Sequence, residues 1–305
     1  MAKAMQFDEY GGTDVLHLVD VTPPAPGPSQ VRISVRAAGV NPIDRKIVAG
    51  DMRQLIPLEL PAGVGSDIAG VVDAVGSAVA EWSVGDEVLG TSTTPSFAEY
   101  ALAEAANLVR KPADVSWEVA GSLAGAGGTA YAVLEELGVS AGETLLIHAA
   151  AGGVGTFAVQ LARARGAEVL GTASERNHAY LRSLGATPVT YGDGLAERVR
   201  AAAPRGVDAV LDASGRGEIP MSIALTGEPS KVLTLLAFDA ADTGIQIHVD
   251  GAGRHLATGL HELIGLIEQG RLTVPIARSY PLTDTPAALA AIGSGHGSGK
   301  TVIVL

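Results

Sequence analysis

The sequence predicts an α/β protein of two interleaved domains, in which a doubly wound, six-stranded parallel domain is inserted into a discontinuous, β-rich, barrel-like one. Three observations carry that expectation. From about residue 118 the chain alternates apolar strands with helical stretches, the pattern that builds a parallel sheet with right-handed crossovers. A glycine-rich turn, His148-Ala149-Ala150-Ala151-Gly152-Gly153-Val154-Gly155, leads out of the first of those strands into a helix. Strand-rich segments stand at both ends of the chain, outside the alternation. The expected boundaries are residues 1–118 plus 270–305 for the β-rich domain and 119–269 for the parallel domain.

The elements follow in chain order. Val31-Arg32-Ile33-Ser34-Val35-Arg36-Ala37 alternates apolar and polar residues, the period of a half-buried strand. Strand patterns return at 69–76 and 86–90 and lead to Phe97-Ala98-Glu99-Tyr100-Ala101, with glycine- and serine-containing turns between them. A helix is expected over 120–137, then the apolar strand Thr144-Leu145-Leu146-Ile147-His148 and a helix over 157–165. Further strands are expected at 168–173, 188–191, 207–212, 231–237 and 244–249, with helices at 177–184, 195–202 and 257–269. Six strands complete a doubly wound nucleotide fold. The strand-like pieces 272–276, 280–282 and 300–304, around a short alanine-rich helix, are expected to return to the first domain.

Composition narrows the function classes. At 305 residues the length favours two domains at roughly 150 residues each, which allows a cleft between them. Apolar residues make up 47% of the chain but are interrupted by glycine or charge, so no run approaches the ~18 to 20 apolar residues of a membrane span. Asp8 and Glu9 fall where a signal peptide needs an apolar core, and a cytoplasmic location is expected. The chain has no cysteine, which removes disulfides, thiol nucleophiles and Cys-based zinc sites. A net charge of -12 disfavours nucleic acid or an anionic membrane as partner. The seven histidines show no metal-ligand spacing, and His255 and His261 lie six apart, off the i, i+4 relation of a two-histidine helix face.

The strand-to-helix turn carries the chemistry. In such a turn a dinucleotide's pyrophosphate rests on helix N-terminal amides, so Ala151, Gly152, Gly153, Val154 and Gly155 are its expected cradle. Ala149 stands in the place of the first glycine of the usual G-x-G-x-x-G. The alternative is a glycine-rich turn needed only for packing. Where NAD enzymes place an acid for the ribose hydroxyls, this chain reads Ser174-Glu175-Arg176. Ser174 and Arg176 suit a 2′-phosphate through a hydroxyl and a charge-assisted bond, with Tyr191 covering the same pocket, and NADPH is the expected cofactor. If Glu175 instead faces the ribose, the preference reverses to NADH.

A series of motifs then resembles successive landmarks of the medium-chain dehydrogenase/reductase family. They are Gly39-Val40-Asn41-Pro42-Ile43-Asp44, Gly63-Val64-Gly65-Ser66-Asp67-Ile68-Ala69-Gly70, Val84-Gly85-Asp86-Glu87-Val88, Gly127-Gly128-Thr129-Ala130-Tyr131 and Gly299-Lys300-Thr301-Val302. Zinc alcohol dehydrogenases of that family carry a Cys near Val40 or Asn41, a His-Glu pair near Ser66-Asp67 and a four-Cys lobe, and none of these is present. The chain therefore resembles the zinc-independent quinone oxidoreductases and related enoyl reductases, with Asn at Asn41.

The resemblance implies a Rossmann domain inserted into a GroES-like barrel domain, and metal-free hydride donation from NADPH to an already electrophilic carbon of a quinone or α,β-unsaturated carbonyl. It implies Asn41 near nicotinamide and substrate, Thr129 near the carboxamide, Ser214 and Phe238 along the cofactor, and a homodimer joined through the sixth strands. Asn41 also reads as a plain turn residue before Pro42, and Asp44 as a helix N-terminal residue. Many relatives place a Tyr where this chain has Met52 in Gly50-Asp51-Met52, so no side-chain proton donor is evident and water is the alternative. Two rival readings stay open: an enoyl reductase acting on acyl thioesters in polyketide or fatty-acyl metabolism, and a non-catalytic NADPH-binding redox sensor.

Overall fold

In the computed structural model, residues 1–249, 251, 253–293 and 298–305 are described. The chain forms two compact units, Met1–Gly125 with Leu256–Ile264 and Val274–Leu305, and Ala126–His255 with Gly265–Thr273. The strands in chain order are β1 (Ala2–Phe7), β2 (His17–Val21), β3 (Gln30–Val40), β4 (Ala62–Gly63), β5 (Asp67–Val75), β6 (Glu87–Thr91), β7 (Tyr100–Glu104), β8 (Leu108–Arg110), β9 (Thr144–His148), β10 (Glu168–Ala173), β11 (Thr187–Thr190), β12 (Ala209–Asp212), β13 (Val232–Thr234), β14 (Gln246–Ile247), β15 (Ile276–Pro281) and β16 (Lys300–Val304). The α-helices are α1 (Pro42–Ala49), α2 (Trp117–Ala120), α3 (Ala124–Leu137), α4 (Gly153–Ala164), α5 (His178–Ser183), α6 (Leu195–Ala202), α7 (Ile219–Thr226), α8 (Leu256–Glu268) and α9 (Thr285–Gly293).

The first unit is built around β3, which alternates half-buried and buried residues along its first half and is almost wholly buried at its end. It pairs antiparallel with β5, β7 and β16, in a sheet of order β15-β16-β3-β5-β6-β8. A smaller sheet, β2-β1-β4, is tied on by the Met5 amide bonding to the Phe97 carbonyl. Met5, Phe7, Ile33, Ile68, Phe97 and Ile303 fill the core between them, each at most 1% exposed.

The second unit holds a six-stranded parallel sheet of order β11-β10-β9-β12-β13-β14. Numbered within the domain this is 3-2-1-4-5-6, the doubly wound order, whose reversal beside the first strand opens a crevice at the strands' carboxyl ends. The expected fold, a Rossmann sheet inserted into a GroES-like domain, is therefore present. The central strand β9 is buried at all five positions, as a parallel strand covered on both faces must be. Pro188 is tolerated in β11 because that strand is the sheet edge, where a missing N–H costs no ladder bond.

Some expected elements shift, each for a local reason. The helix expected from residue 157 begins at Gly153, because the last glycines of the turn already take helical positions. The strand expected over 231–237 stops at Thr234, whose Oγ1 accepts the Leu236 and Ala237 amides at 3.2 and 3.0 Å and turns the chain away. The strand expected at 272–276 is irregular up to β15, since Gln160 takes both the amide and the carbonyl of Thr273. Helix α7 was not foreseen, and of α1 only its start was, in the reading of Asp44 as a helix N-terminal residue. Each has a proline in its first turn, which reads as a breaker but is tolerated where the N–H has no helical acceptor.

Candidate functional site

The turn from β9 into α4 is shaped by one close approach. A Cβ added to Gly155 would lie 2.6 Å from the Ala149 carbonyl oxygen and 2.6 Å from the Ala150 Cα, both backbone atoms that cannot swing aside. Only glycine lets the helix sit this low on the strand end. Gly153 differs: its added Cβ would meet only the Ala126 Cβ, at 3.7 Å. The N-cap is Gly152, which has no side chain to satisfy the helix start, and the Thr156 amide is the one that reaches back to the Gly152 carbonyl. The amides of Gly153, Val154 and Gly155 precede that first helical bond and have no acceptor within the helix.

Ala149 takes the left-handed conformation, φ 55°, that the missing first glycine would adopt freely. A chain of directed hydrogen bonds holds it there. The Ala149 amide donates to Thr172 Oγ1 at 3.1 Å, and that hydroxyl lies 3.4 Å from His148 Nδ1. On the other side, Ser222 Oγ donates to the Glu218 carbonyl at 2.7 Å and lies 3.0 Å from His148 Nε2. Because the Ser222 hydrogen is committed, Nε2 carries an imidazole hydrogen, and in the neutral ring Nδ1 accepts from Thr172. Burial favours that neutral ring, holding the His148 pKa below the ordinary value against the pull of Glu218 and Asp212.

Most of the other residues singled out by sequence follow the carboxyl ends of strands in the same parallel sheet. Thr129 is half-buried within α3. Ser174 caps a short 3-10 turn, Glu175–Asn177, and is half-buried, whereas Glu175 and Arg176 are exposed. Tyr191 is 43% exposed just past β11, and the Arg216 guanidinium lies 5.8 Å from its ring centroid. Arg216 escaped the sequence reading because it belongs to the next strand's turn and meets Tyr191 only through the sheet. Ser214 Oγ sits between Asp212 Oδ1 at 2.8 Å and Glu218 Oε2 at 2.7 Å. Asp212 is fully buried and also accepts the Ser214 and Gly215 amides and the Thr234 hydroxyl. Phe238 is 45% exposed at the start of the 3-10 segment Phe238–Thr243.

The remaining candidate, Asn41, belongs to the first unit. It is the N-cap of α1, and Asp44 Oδ2 accepts its backbone amide at 2.7 Å, so both residues do have helix-capping roles. Its side chain enters a buried polar cluster: Asn41 Nδ2 donates to Asp67 Oδ2 at 3.0 Å, and Lys300 Nζ donates to Asn41 Oδ1 at 2.6 Å. Asp44, Asp67 and Lys300 are 1%, 0% and 4% exposed, so three ionisable groups share one dry site. Burial pushes Asp44 up to about 7 and raises Asp67, with Lys300 and Asn41 pulling Asp67 back, and burial lowers Lys300. The available signal was an ionisable residue in each of two largely buried strands, Asp67 opening β5 and Lys300 opening β16. Among the described residues no group of three His, Cys, Asp or Glu side chains is placed to hold a metal ion, and His296 lies outside them.

The comparisons with known proteins agree with this architecture. Residues 27–136 match the family model described as alcohol dehydrogenase GroES-like domain, and residues 153–235 match the one described as zinc-binding dehydrogenase. The quinone oxidoreductase of Pseudomonas aeruginosa is 31% identical over 328 residues, covering 100% of each protein. The crystal structure of Escherichia coli quinone oxidoreductase complexed with NADPH superposes with a TM-score of 0.89 at 27% identity, over 100% of both chains. The CurK enoyl reductase superposes at 0.87 with 27% identity, over 99% of each chain.

Two outcomes test the geometry of the turn. Gly155→Ala is expected to lower unfolding free energy in urea by about 1–3 kcal/mol through overpacking, while Gly153→Ala stays near wild type; equal losses would show that the close approach is not limiting. As pH falls below 6.5, the unfolded chain protonates this histidine and the folded protein resists, so His148 withdraws stability, by at most about 1.4 kcal/mol per pH unit. Asp44 acts with the opposite sign, its contribution being present below 3.8 and lost as pH rises through about 7. The difference between wild type and His148→Gln in thermal melts from acid to neutral pH isolates the histidine, and a flat difference would contradict its neutral state.

Proposed function

Because the chain belongs to the medium-chain dehydrogenase/reductase family, in its quinone-oxidoreductase-like branch, we propose that it is an NADPH-dependent oxidoreductase that reduces a quinone or an α,β-unsaturated carbonyl without a metal ion. The carrying observation is the β9–α4 turn, where the amides of Gly153, Val154 and Gly155, without acceptors in the helix, suit a diphosphate. A nicotinamide cofactor fits these residues, and when bound it supplies a hydride. Ala151 and Gly152 complete the proposed cradle, and Thr129, Ser214 and Phe238 line the rest of the cofactor's course.

For the 2′-phosphate, the reading assigns Ser174 and Arg176, with Tyr191 flanking and Arg216 stacked over it as a second cation. The neighbour solved with NADPH supports the choice of cofactor. Asn41 is assigned to the substrate and nicotinamide. The absence of cysteine removes the thiolate ligands that zinc relatives use. The same reading includes a homodimer joined through β14, an edge strand beside the 77% exposed Val249, and a cytoplasmic location; among the described residues no helix is long and apolar enough to cross a membrane. The CurK neighbour favours a second reading, reduction of an enoyl thioester.

Consumption of NADPH against 1,4-benzoquinone, a simple enone and an enoyl thioester, with EDTA present, tests the assignment. Turnover of the quinone or enone supports it, a dominant kcat/KM for the thioester selects the second reading, and no turnover of any acceptor removes both. Arg176→Ala is expected to weaken NADPH by about 1.5–3 kcal/mol more than NADH. Equal losses in a calorimetric titration would withdraw the 2′-phosphate assignment.

A further inference from the structure

We propose that Asp67 and Lys300 are positioning residues that lock the Asn41 carboxamide in one orientation, so that its second amide hydrogen is presented as a donor to the carbonyl oxygen of the substrate. The proposal rests on the reading of Asn41 as a substrate-facing group. The two ends of a carboxamide are nearly equal in shape, and its orientation is set by the partners it meets. With Lys300 as an ammonium and Asp67 as a carboxylate, a pair without net charge, the partners fix that orientation. An ammonium can only donate, so the end bonded to Lys300 Nζ at 2.6 Å is the oxygen. An ionised carboxylate can only accept, so the end bonded to Asp67 Oδ2 at 3.0 Å is the nitrogen. Turned over, the amide would set donor against donor at Lys300 and acceptor against acceptor at Asp67.

The sheet itself supplies the two charges. Asn41 immediately follows β3, whose neighbours on either side are β16 and β5. Thr301 pairs with Val40, which places Lys300 beside Asn41, and Ala69 pairs with Ala37, which brings Asp67 level with the strand's end. A cation from one neighbouring strand and an anion from the other thus grip opposite ends of the same amide. The backbone is gripped too, by Asp44 at the Asn41 amide. Asp67 is walled in, because a Cβ on Gly39 would lie 2.6 Å from its Oδ2 and one on Gly125 2.6 Å from its Oδ1. With Oδ1 and one Nδ2 hydrogen engaged, the amide keeps one hydrogen and one lone pair for another molecule.

That remaining hydrogen matches a need of the proposed reaction. When the conjugated carbon of an enone or quinone accepts hydride, the displaced electron pair moves to the carbonyl oxygen, which is then protonated from solvent. A fixed donor aimed at that oxygen stabilises the charge as it develops and requires no reorganisation. A purely structural cluster would tie β5, β3 and β16 together and affect stability alone.

The test combines exchange and kinetics. In wild type, the Asn41 side-chain amide is expected to give one narrow pair of NMR signals, with one hydrogen exchanging at least about tenfold more slowly than the other. Lys300→Met and Asp67→Leu, which remove the donor and the acceptor, are expected to lower kcat with NADPH and 1,4-benzoquinone by about tenfold or more, with the NADPH Kd unchanged within a factor of about two. Two Asn41 hydrogens that exchange equally in wild type would overturn the proposal, a result that needs no variant to fold. Folded variants that keep wild-type kcat would overturn it as well. If wild type reduces no acceptor at all, the functional reading fails, whereas the exchange measurement still decides the orientation of the amide.

Discussion

The low seat of α4 on the end of β9 is the constraint on which the second unit depends. Backbone meets backbone at Gly155, so the helix start, the strand end and the amides between them form one rigid corner. Everything attached to the corner inherits its position. Ala149 accepts an uncommon conformation, φ 55°, because Thr172 fixes its amide and His148 fixes Thr172. A conformation that costs on the order of 1–3 kcal/mol in isolation persists when its surroundings over-determine it. The neutral imidazole belongs to the same arrangement, because burial disfavours a second ring hydrogen and its charge.

The two units treat buried polarity in different ways. In the second, Asp212 gathers amides and hydroxyls from its own turn and from Thr234, so a lone carboxylate is satisfied by neutral donors. In the first, Asp44, Asp67 and Lys300 are joined through Asn41, while the second carboxylate oxygen of Asp67, Oδ1, is buried without a hydrogen-bond partner. Two carboxyls and one ammonium cannot all be ionised without leaving net charge in a dry site, and burial accordingly raises both acids and lowers the base. Removing one member of such a group typically costs about 3–5 kcal/mol, because an uncompensated charge is left behind.

How much of this was legible depends on range. Thr144–His148, Glu168–Ala173 and Leu195–Ala202 form over the residues expected, since apolar runs and helical periodicity are properties of a few neighbours. The parallel order follows from alternation and the handedness of crossovers. The glycines of the phosphate-type turn were readable as a motif, but the sequence did not distinguish Gly155, which a methyl group would jam, from Gly153, which tolerates one. Asn41 was singled out, yet its partner Lys300 lies 259 residues away, and no local pattern joins them. Arg216 and Tyr191 are likewise brought together by the sheet across intervening chain. Residues whose meaning is set by strand order become readable only when that order is known.

Pro188 carries one more consequence. Its strand closes one side of the six-stranded sheet, and a proline there cannot offer a full ladder to an incoming strand. The opposite side, at β14, has no proline. A sheet with one blunted margin and one open margin offers a complete ladder to an incoming strand on one side only. Continuous edge-to-edge growth of this sheet would need both margins, and a single ring in its outermost strand withholds one of them.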